Sequence, residues 1–283
     1  MSRIWNPFEI EDEFSIKAFY SSFVRNCKHE YFFQGETHDF WEICYVIKGS
    51  VCMSVDDKVI KLCENQIIFH KPMEFHSLRT DSECPTSLFI TSFSVDGDFI
   101  QFFCDKIFTL NHTQKNDIFT IINYLRNSGE YINDDKISVR YLEYLSKIPN
   151  GIKTLRNYVE NLLISLSDTN ATRVQLVKNT ETDIYADALR IINDFVYDKL
   201  TVDELAKKCN VSTAYLKKIF AKYNGLGIHE YILQNKISIA KQMLSDGESV
   251  TNIADILGFS SQNYFSTAFK RETGVSPSNY IIV

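Results

Sequence analysis

The first third of the chain alternates short apolar runs with turn-forming residues. Each run is rich in Val, Ile, Phe or Tyr, and glycine, proline, asparagine or an Asp-Asp pair separates it from the next. Strands that recur roughly every ten residues, with turn signals between them, are typical of an antiparallel barrel or sandwich. The pattern therefore predicts a β domain with strands at 40–47, 51–55, 59–62, 66–70, 76–78 and 87–93.

From residue 114 onward the hydrophobic period changes to that of amphipathic helices. One apolar stripe consists of Ile118, Ile121, Ile122 and Leu125, and a stronger one of Ile152, Leu155, Val159, Leu162, Leu163 and Leu166. The following segment, SDTNATRVQLVKNTETD, is polar and loses the period. It predicts a linker at 167–183 between a first domain, 1–166, and a second, 184–283.

Beyond the linker, signals that start and stop helices follow one another closely. Thr201 lies three residues before Glu204, which is the spacing of a capping box. Serines suited to helix starts alternate with glycines suited to helix ends, and the set comprises Ser212, Gly225, Ser249, Gly258, Ser260 or Ser261, Gly274 and the pair Ser276-Pro277. The second domain is therefore predicted to be all-α.

Two stretches of this domain share one skeleton of apolar and small residues. They are LAKKCNVSTAYLKKIFAKYNG, Leu205–Gly225, and IADILGFSSQNYFSTAFKRETG, Ile253–Gly274. In a helix-turn-helix a small residue lets the two helices cross closely, and Ala206 and Ala254 occupy that position. The turn needs a residue that tolerates a left-handed backbone, here Asn210 and Gly258. The repeat therefore predicts two helix-turn-helix units.

Residues 184–283 resemble the DNA-binding domain of the AraC/XylS family of transcription regulators. The second unit, SVTNIADILGFSSQNYFSTAFKRETGVSPSNYI, is similar to the family signature almost position by position, and the first, VDELAKKCNVSTAYLKKIFAKYNGLGIHEYI, follows it with modest departures. Lys236 stands where the family usually has arginine, and Leu226-Gly227 replaces a small polar pair. The resemblance implies about seven helices, with two recognition helices entering major-groove segments roughly 34 Å apart. It also implies double-stranded DNA and RNA polymerase as partners.

The same resemblance implies which side chains meet DNA. The base-reading positions fall on Ala214, Lys217 and Lys218 in a first recognition helix, Thr213 to Tyr223, and on Gln262, Asn263 and Thr267 in a second, Ser261 to Thr273. Phosphate contacts are expected from Ser212, Lys222, Ser261, Lys270 and Arg271. Lysines of the first helix can donate to guanine. Because amides pair with adenine, the second helix is expected to favour A·T-containing steps.

The first domain carries residues that resemble the two cupin motifs. The matching positions are His38, Glu42, Gly49, Pro72 and His76, with Glu36 where metal-binding cupins have a further histidine. Four of these side chains could converge on one metal inside a barrel, namely Glu36, His38, Glu42 and His76. The missing histidine, and Asn65 in place of a glycine, favour a barrel without metal, which is common in regulators of this family.

A metal-free barrel of this kind is expected to bind an effector. The expected pocket residues are Glu36, His38, Trp41, Glu42 and His76. Trp41, Phe33 and Phe69 could stack on a sugar ring or could belong to the core. The sequence contains no recognisable nucleophile–base set, catalytic carboxylate pair or phosphate-binding glycine loop, so neither a cofactor nor an enzymatic activity is expected.

Together these features predict an α+β protein of two domains, an N-terminal cupin-like antiparallel β-barrel with following helices and a C-terminal all-α domain. Its predicted function is ligand-responsive regulation of transcription, and the resemblance favours a sugar or sugar derivative as the effector. Helices in 114–166 are expected to form a homodimer contact, although the stripe Ile152–Leu166 could equally pack on its own barrel. The linker would transmit the binding of an effector in the barrel to the DNA-binding domain. Two alternatives remain, a cupin metalloenzyme fused to a DNA-binding domain and a regulator controlled by dimerisation or a partner protein.

Charge and hydropathy bear on location and partners. The net charge is −6, but the last hundred residues are close to neutral, so the negative charge lies in the first domain. This balance permits DNA binding without arguing for it. No apolar run reaches the length of about 18 residues that a membrane span needs, and the acidic start of the chain lacks an apolar leader. A cytoplasmic protein with no membrane partner is expected.

Overall fold

A computed structural model of the chain describes residues 13–27, 31–80, 85–127, 137–167, 172–173, 177 and 179–280. Its strands are β1 (Ser15–Cys27), β2 (Phe32–Glu36), β3 (Trp41–Lys48), β4 (Ser50–Val55), β5 (Lys58–Cys63), β6 (Gln66–His70), β7 (His76–Thr80), β8 (Thr86–Asp96), β9 (Lys106–Thr109) and β10 (Thr172–Arg173). One antiparallel sheet has the order β1-β8-β3-β6-β9-β10, and the second has the order β2-β7-β4-β5. The predicted cupin-like antiparallel architecture is confirmed.

Strands β1, β2 and β9 extend the sheets beyond the predicted run. β1 pairs with β8, but register shifts interrupt it between Ile16 and Ala18 and again between Phe19 and Ser21. Such shifts break the alternation of apolar and polar residues by which a strand is found in a sequence. β9 has only four residues, too few to establish a period.

Three helices cover one side of the barrel, α1 (His112–Asn127), α2 (Ile137–Lys147) and α3 (Gly151–Ser167). The stripes predicted on α1 and α3 are buried there, apart from the partly buried Ile152, in one core with Trp41 and Phe93 of the six-stranded sheet. Leu155, Val159 and Leu162 are fully buried. The apolar face that suggested a dimer contact is therefore covered by the chain's own barrel and helices. α2 was not predicted.

The segment predicted to be a linker contains regular structure. Helix α4 (Thr180–Asp194) begins within it because Asn179 and Thr182 form a reciprocal capping box. The Asn179 side chain accepts a bond of 3.0 Å from the Thr182 backbone N–H, and the Thr182 hydroxyl accepts one of 2.9 Å from the Asn179 N–H. β10 lies in the same segment and pairs with β9. The parts of the predicted linker outside the described residues are 168–171, 174–176 and 178.

The C-terminal part of the described chain is helical. The elements that follow α4 are α5 (Val202–Lys208), α6 (Thr213–Tyr223), α7 (Ile228–Ser245), α8 (Val250–Ile256), α9 (Gln262–Thr273) and α10 (Pro277–Tyr280). With α4 they make seven helices in 179–280, as predicted. Four of the predicted N-caps are also confirmed, since each cap side chain accepts a backbone N–H three residues further on; these caps are Thr201, Ser212, Ser249 and Ser261.

The helices pack around two separate cores. The first holds α4 to α6 and the start of α7, and it includes Val59 and Phe75 from the barrel. The second holds the remainder of α7 with α8 and α9. α7 contributes Tyr231 to the first core and Leu244 to the second, so this one helix joins the two helix-turn-helix units. None of the described helices combines the length and apolar character needed to cross a bilayer.

Candidate DNA-binding surface and effector cavity

The first helix-turn-helix consists of α5 and α6. Ala206 is 2% exposed where the two helices cross, and Asn210 adopts φ +56° in the turn. The Ser212 hydroxyl then accepts a bond of 3.2 Å from the Tyr215 backbone N–H. α6 covers the residues predicted for the first recognition helix, because the left-handed turn and the serine cap are local signals that fix where it starts.

Helix α6 has one buried and one exposed face. Leu216, Ile219 and Phe220 lie in the core. The three residues predicted to read bases are all exposed, and they are Ala214, Lys217 and Lys218. Because its apolar face is packed in the core, the helix presents its polar face to solvent, where a duplex can reach it.

The second helix-turn-helix, α8 and α9, repeats this construction. Ala254 is 1% exposed, Gly258 adopts φ +65° in the turn, and the Ser261 hydroxyl accepts a bond of 3.1 Å from the Tyr264 N–H. The three base-reading candidates on α9 are exposed, and they are Gln262, Asn263 and Thr267. The Gln262 side chain accepts a bond of 2.9 Å from Thr251, which orients its amide.

The five residues predicted to contact phosphate differ in exposure and in whether their polar groups already have partners within the protein. Ser212 and Ser261 use an oxygen lone pair as helix caps and keep a hydroxyl proton to donate. Lys270 is exposed. Arg271 pairs with Glu272 at 2.7 Å. Lys222 is half-buried in an ion pair with Glu181 of α4, so that carboxylate competes with a phosphate for its ammonium. The sequence pattern gave no sign of this pairing.

Lys236 holds the two units together. Its side chain is buried in the middle of α7, and its ammonium donates to the backbone oxygens of Leu257 at 2.6 Å and Asp198 at 3.1 Å. Burial lowers its pKa. Leu257 is the residue that caps the end of α8, and Asp198 lies just before α5. The departure from arginine noted in the sequence thus lies at the junction of the units, away from the recognition faces.

A cavity of about 280 Å³ lies between the two sheets of the barrel. Phe33, Met53 and Leu78 line it from one sheet and Cys44 and Ile90 from the other. Its polar lining consists of Tyr20, Ser21, Arg25, Tyr31, Glu36, Glu42, His76 and Ser92. The volume is near the lower end of the range of roughly 300–1,000 Å³ found for ligand pockets, so the cavity suits a small molecule.

Four of the five predicted pocket residues meet in one cluster, Glu36, His38, Glu42 and His76. Their donor atoms all lie within 4.8 Å of one another. Burial alone would raise the pKa of Glu42, but contact with His76 and the nearby His70 and His38 lower it to about 2. Burial opposes protonation of His76, but the carboxylates of Glu42 and Glu36 raise its pKa overall.

The structure corrects the prediction for Trp41. Trp41 and Glu42 are neighbours on β3, so their side chains point to opposite faces of the sheet. Glu42 faces the cavity, and Trp41 is buried in the core that the sheet shares with α1 and α3. Phe69 lies in the same core. Of the three aromatic residues considered for sugar stacking, only Phe33 lines the described cavity.

The barrel and the first helix-turn-helix are in direct contact, which the sequence did not predict. The hydroxyls of Ser54 and Ser77 both donate to the backbone oxygen of Tyr223, the last residue of α6, at 2.6 and 3.0 Å. Phe75 packs edge-on against Tyr231 at 5.2 Å. This contact joins residues that are far apart in the sequence. Serine is common in strands, so nothing in the sequence marks Ser54 or Ser77 as a contact residue.

The contact is close at Gly225. This residue has φ +77°, and a Cβ there would lie 1.6 Å from the ring of Phe32 on β2. A larger residue at this position would strain the backbone and would also force the Phe32 ring to move. The end of the first recognition helix and the wall of the cavity are thus built as one interface.

A ligand-sized cavity in a β-barrel, joined to two helix-turn-helix units with exposed polar faces, defines a DNA-binding regulator with a ligand-binding domain. Residues 19–129 match the family described as AraC-like ligand binding domain, and residues 205–281 match a helix-turn-helix domain. Together the two matches span more than half of the chain. The chain belongs to the AraC/XylS family of transcription regulators, and it is a regulator rather than an enzyme.

The sequence similarity to known proteins extends over both domains. The "Msm operon regulatory protein" of Streptococcus mutans is 26% identical over 98% of this chain and 96% of its own length. The "Uncharacterized HTH-type transcriptional regulator YfiF" of Bacillus subtilis is 24% identical over 85% of this chain and 76% of its own. Among solved structures, ToxT from Vibrio cholerae O395 is similar over 95% of this chain and 97% of that chain, with 16% identity and a TM-score of 0.37.

Proposed function

We propose that the chain recognises a specific DNA sequence through α6 and α9, under the control of a small polar metabolite bound in the barrel cavity. The observation that carries this proposal is the exposure of both polar helix faces while their apolar faces are buried. On α6, Lys217 and Lys218 donate to guanine and Ala214 packs against a thymine methyl. On α9, Gln262 and Asn263 pair with adenine.

Lys270 serves to bind phosphate rather than to read bases. It lies in the last turn of α9, away from the exposed start of the helix. We expect Lys270→Ala to weaken binding to cognate and random DNA by the same factor. The dependence of log Kd on log salt concentration should become shallower by about 0.9, because one fewer counterion is released. Anisotropy titrations of labelled duplexes at several salt concentrations measure both quantities.

Lys153→Ala is the matched control, since it removes the same charge from an exposed position on α3 in the first domain. It should leave both affinity and salt dependence unchanged. A Lys270→Ala variant that loses affinity only for the cognate site would assign this lysine to base recognition instead.

A sugar or sugar derivative is the effector that the cavity chemistry favours. Glu42 and His76 offer hydrogen-bonding groups at one wall, and the Ser92 hydroxyl is fixed by its bond of 2.8 Å to Glu42. Phe33 and Phe40 present rings to the same space. Hydroxyl groups of a sugar pair with such side chains, and the apolar face of its ring stacks on an aromatic side chain.

A thermal-shift screen of the full chain tests the effector. Sugars, sugar phosphates and small carboxylic acids are compared, and a bound ligand at 100 times its Kd should stabilise the chain by about 2.7 kcal/mol. Phe33→Leu should reduce the shift given by a sugar, and Phe69→Leu, which changes an aromatic residue outside the cavity, should retain it. Stabilisation by carboxylic acids alone would contradict the proposal that the effector is a sugar. If no compound stabilises the chain, the result would favour a regulator that works without a ligand.

The effector signal is proposed to reach DNA through the barrel wall as well as the linker. His76 faces the cavity, and the next residue, Ser77, faces outward and bonds to the end of α6. A ligand that moves β7 therefore acts on the first recognition helix through a single peptide unit. Interfaces of this kind convert small shifts into changes of docking.

Homodimer formation and action on RNA polymerase complete the proposal. The three helices over the barrel leave large apolar side chains exposed, and these are Phe119 on α1, Tyr144 on α2 and Ile164 on α3. They offer a contact for a second copy beyond the face that the chain itself covers. Light scattering of the full chain, with and without its DNA site, distinguishes the dimer from a monomer.

A further inference from the structure

The cluster at the cavity wall has the form of a metal site. Glu36 ends β2, His38 follows in the loop, Glu42 lies on β3 and His76 begins β7. The His76 Nε2 atom is 3.4 Å from Glu42 Oε1 and 4.0 Å from Glu36 Oε1, and the His38 Nε2 atom is 3.8 Å from Glu42 Oε2. Elements from both sheets thus direct four donor atoms at one point.

The Nδ1 atoms of both histidines are already bound to backbone oxygens. His38 Nδ1 lies 2.9 Å from the oxygen of Phe40, and His76 Nδ1 lies 3.2 Å from that of Glu74. A carbonyl oxygen only accepts, so each Nδ1 must carry the proton. In the neutral ring the lone pair is then on Nε2, which faces the cluster. A backbone carbonyl bound to the far nitrogen is the usual support of a metal-binding histidine.

The two Nε2 atoms are buried and have no hydrogen-bond partner within the described residues. His76 is 3% exposed, and the His38 side chain is 9% exposed. A buried polar atom without a partner is unfavourable, because it has lost its hydrogen bond to water and gained none in return. Two such atoms directed at the same carboxylate indicate that a further group belongs between them.

The separations suit a metal ion. Nitrogen and carboxylate ligands bind Zn²⁺ at about 2.0–2.2 Å, so two ligand atoms on one ion stand at most about 4.4 Å apart. The separations of 3.4, 3.8 and 4.0 Å fall within this limit, and since all four donor atoms lie within 4.8 Å of one another, the full set needs only a shift of a few tenths of an ångström to meet it. Glu42 is also held by the Ser92 hydroxyl at 2.8 Å, as metal-binding carboxylates commonly are. Glu36, half exposed, is free to adjust.

We propose that the barrel binds one divalent transition-metal ion through Nε2 of His38, Nε2 of His76 and the carboxylates of Glu42 and Glu36. Two imidazoles disfavour Ca²⁺ and Mg²⁺, and the mixed nitrogen and oxygen set suits Zn²⁺, Mn²⁺ or Fe²⁺. Glu36, Glu42 and His76 also line the cavity, so the ion lies at its wall. Asn65, in place of glycine in the cupin motif, adopts φ +66°, so that departure leaves the turn intact.

The test uses the full chain, freed of metal by a chelator and titrated with Zn²⁺ alone. Calorimetry and elemental analysis after gel filtration should give one ion per chain. His38→Gln and His76→Gln should each weaken binding more than about 100-fold, beyond the loss of 10–100-fold typical of groups that only support a ligand. Glu36→Gln, which changes a half-exposed side chain and therefore spares the fold, should weaken it about tenfold.

His112→Gln is the matched control, because His112 is an exposed histidine at the start of α1, and it should bind Zn²⁺ as the unchanged chain does. Co²⁺ in place of Zn²⁺ separates this site from adventitious binding by cysteine, since thiolates add an intense near-ultraviolet band. No stoichiometric binding, a thiolate band, or equal affinity in the cluster variants and the control would each overturn the proposal. DNA recognition does not enter this test, so its failure would leave the proposed regulator function standing.

Discussion

Phe220→Ala is expected to destabilise the chain by about 3–5 kcal/mol, the usual cost of removing a fully buried phenylalanine. Phe220 is 0% exposed on the inner face of α6. Its ring meets Tyr185 of α4 at 5.5 Å and Tyr231 of α7 at 5.4 Å. It therefore holds α4, α6 and α7 together, in the core that also receives Phe75 from the barrel. The cavity left by the ring would lie at the centre of that core.

Tyr215→Ala provides the control on the same helix. Tyr215 is 38% exposed, so its truncation removes an aromatic ring without opening a buried cavity and should cost less than about 1 kcal/mol. Urea unfolding followed by circular dichroism gives both values. Equal costs for the two variants would show that the face of α6 that carries Phe220 is not packed on α4 and α7 as described.

Lys218→Ala and Asn263→Ala are each expected to weaken binding to the cognate DNA by about 1–3 kcal/mol, roughly 5- to 150-fold. Both side chains are exposed on recognition helices of different units, so the double variant should lose about the sum of the two. The reason is the loss of directed hydrogen bonds to base edges. Binding to random DNA, which depends on phosphates, should change little.

The cognate sequence is first obtained by selection from random duplexes with the unchanged chain. Repeating the selection with each variant should relax the preferred base at one position in one half of the site only. Lys207→Ala is the control for charge, since Lys207 is exposed on α5 outside the recognition helix. Equal losses on cognate and random DNA for Lys218→Ala and Asn263→Ala would show that the base-reading face has been misplaced.

The helix-turn-helix units could be predicted from the sequence because their signals are local. A serine that caps a helix, such as Ser212, and a residue that tolerates positive φ, such as Asn210, act within a few residues. The barrel was predicted less completely. β1 depends on its partner β8 and on two irregular registers, and no local rule identifies pairing between residues so far apart.

The site shows the same division. The cupin spacing correctly brought His38, Glu42 and His76 together, because a strand and its neighbours carry them to one wall. The separate expectation that Trp41 lines the pocket as a stacking aromatic failed, since the residue beside a cavity-facing side chain on a strand points to the other face. The bonds of Ser54 and Ser77 to α6 could not be predicted, because two domains must dock before those serines acquire their acceptor.

The placement of His76 and Ser77 on opposite faces of one strand also has a thermodynamic consequence. If occupancy of the cavity changes how α6 docks and thereby the affinity for DNA, the bound duplex must change the affinity of the cavity for its occupant by the same factor. Titrating the effector against the free chain and against the chain saturated with its duplex should therefore give two dissociation constants. Their ratio equals the ratio of the DNA affinities measured with and without the effector.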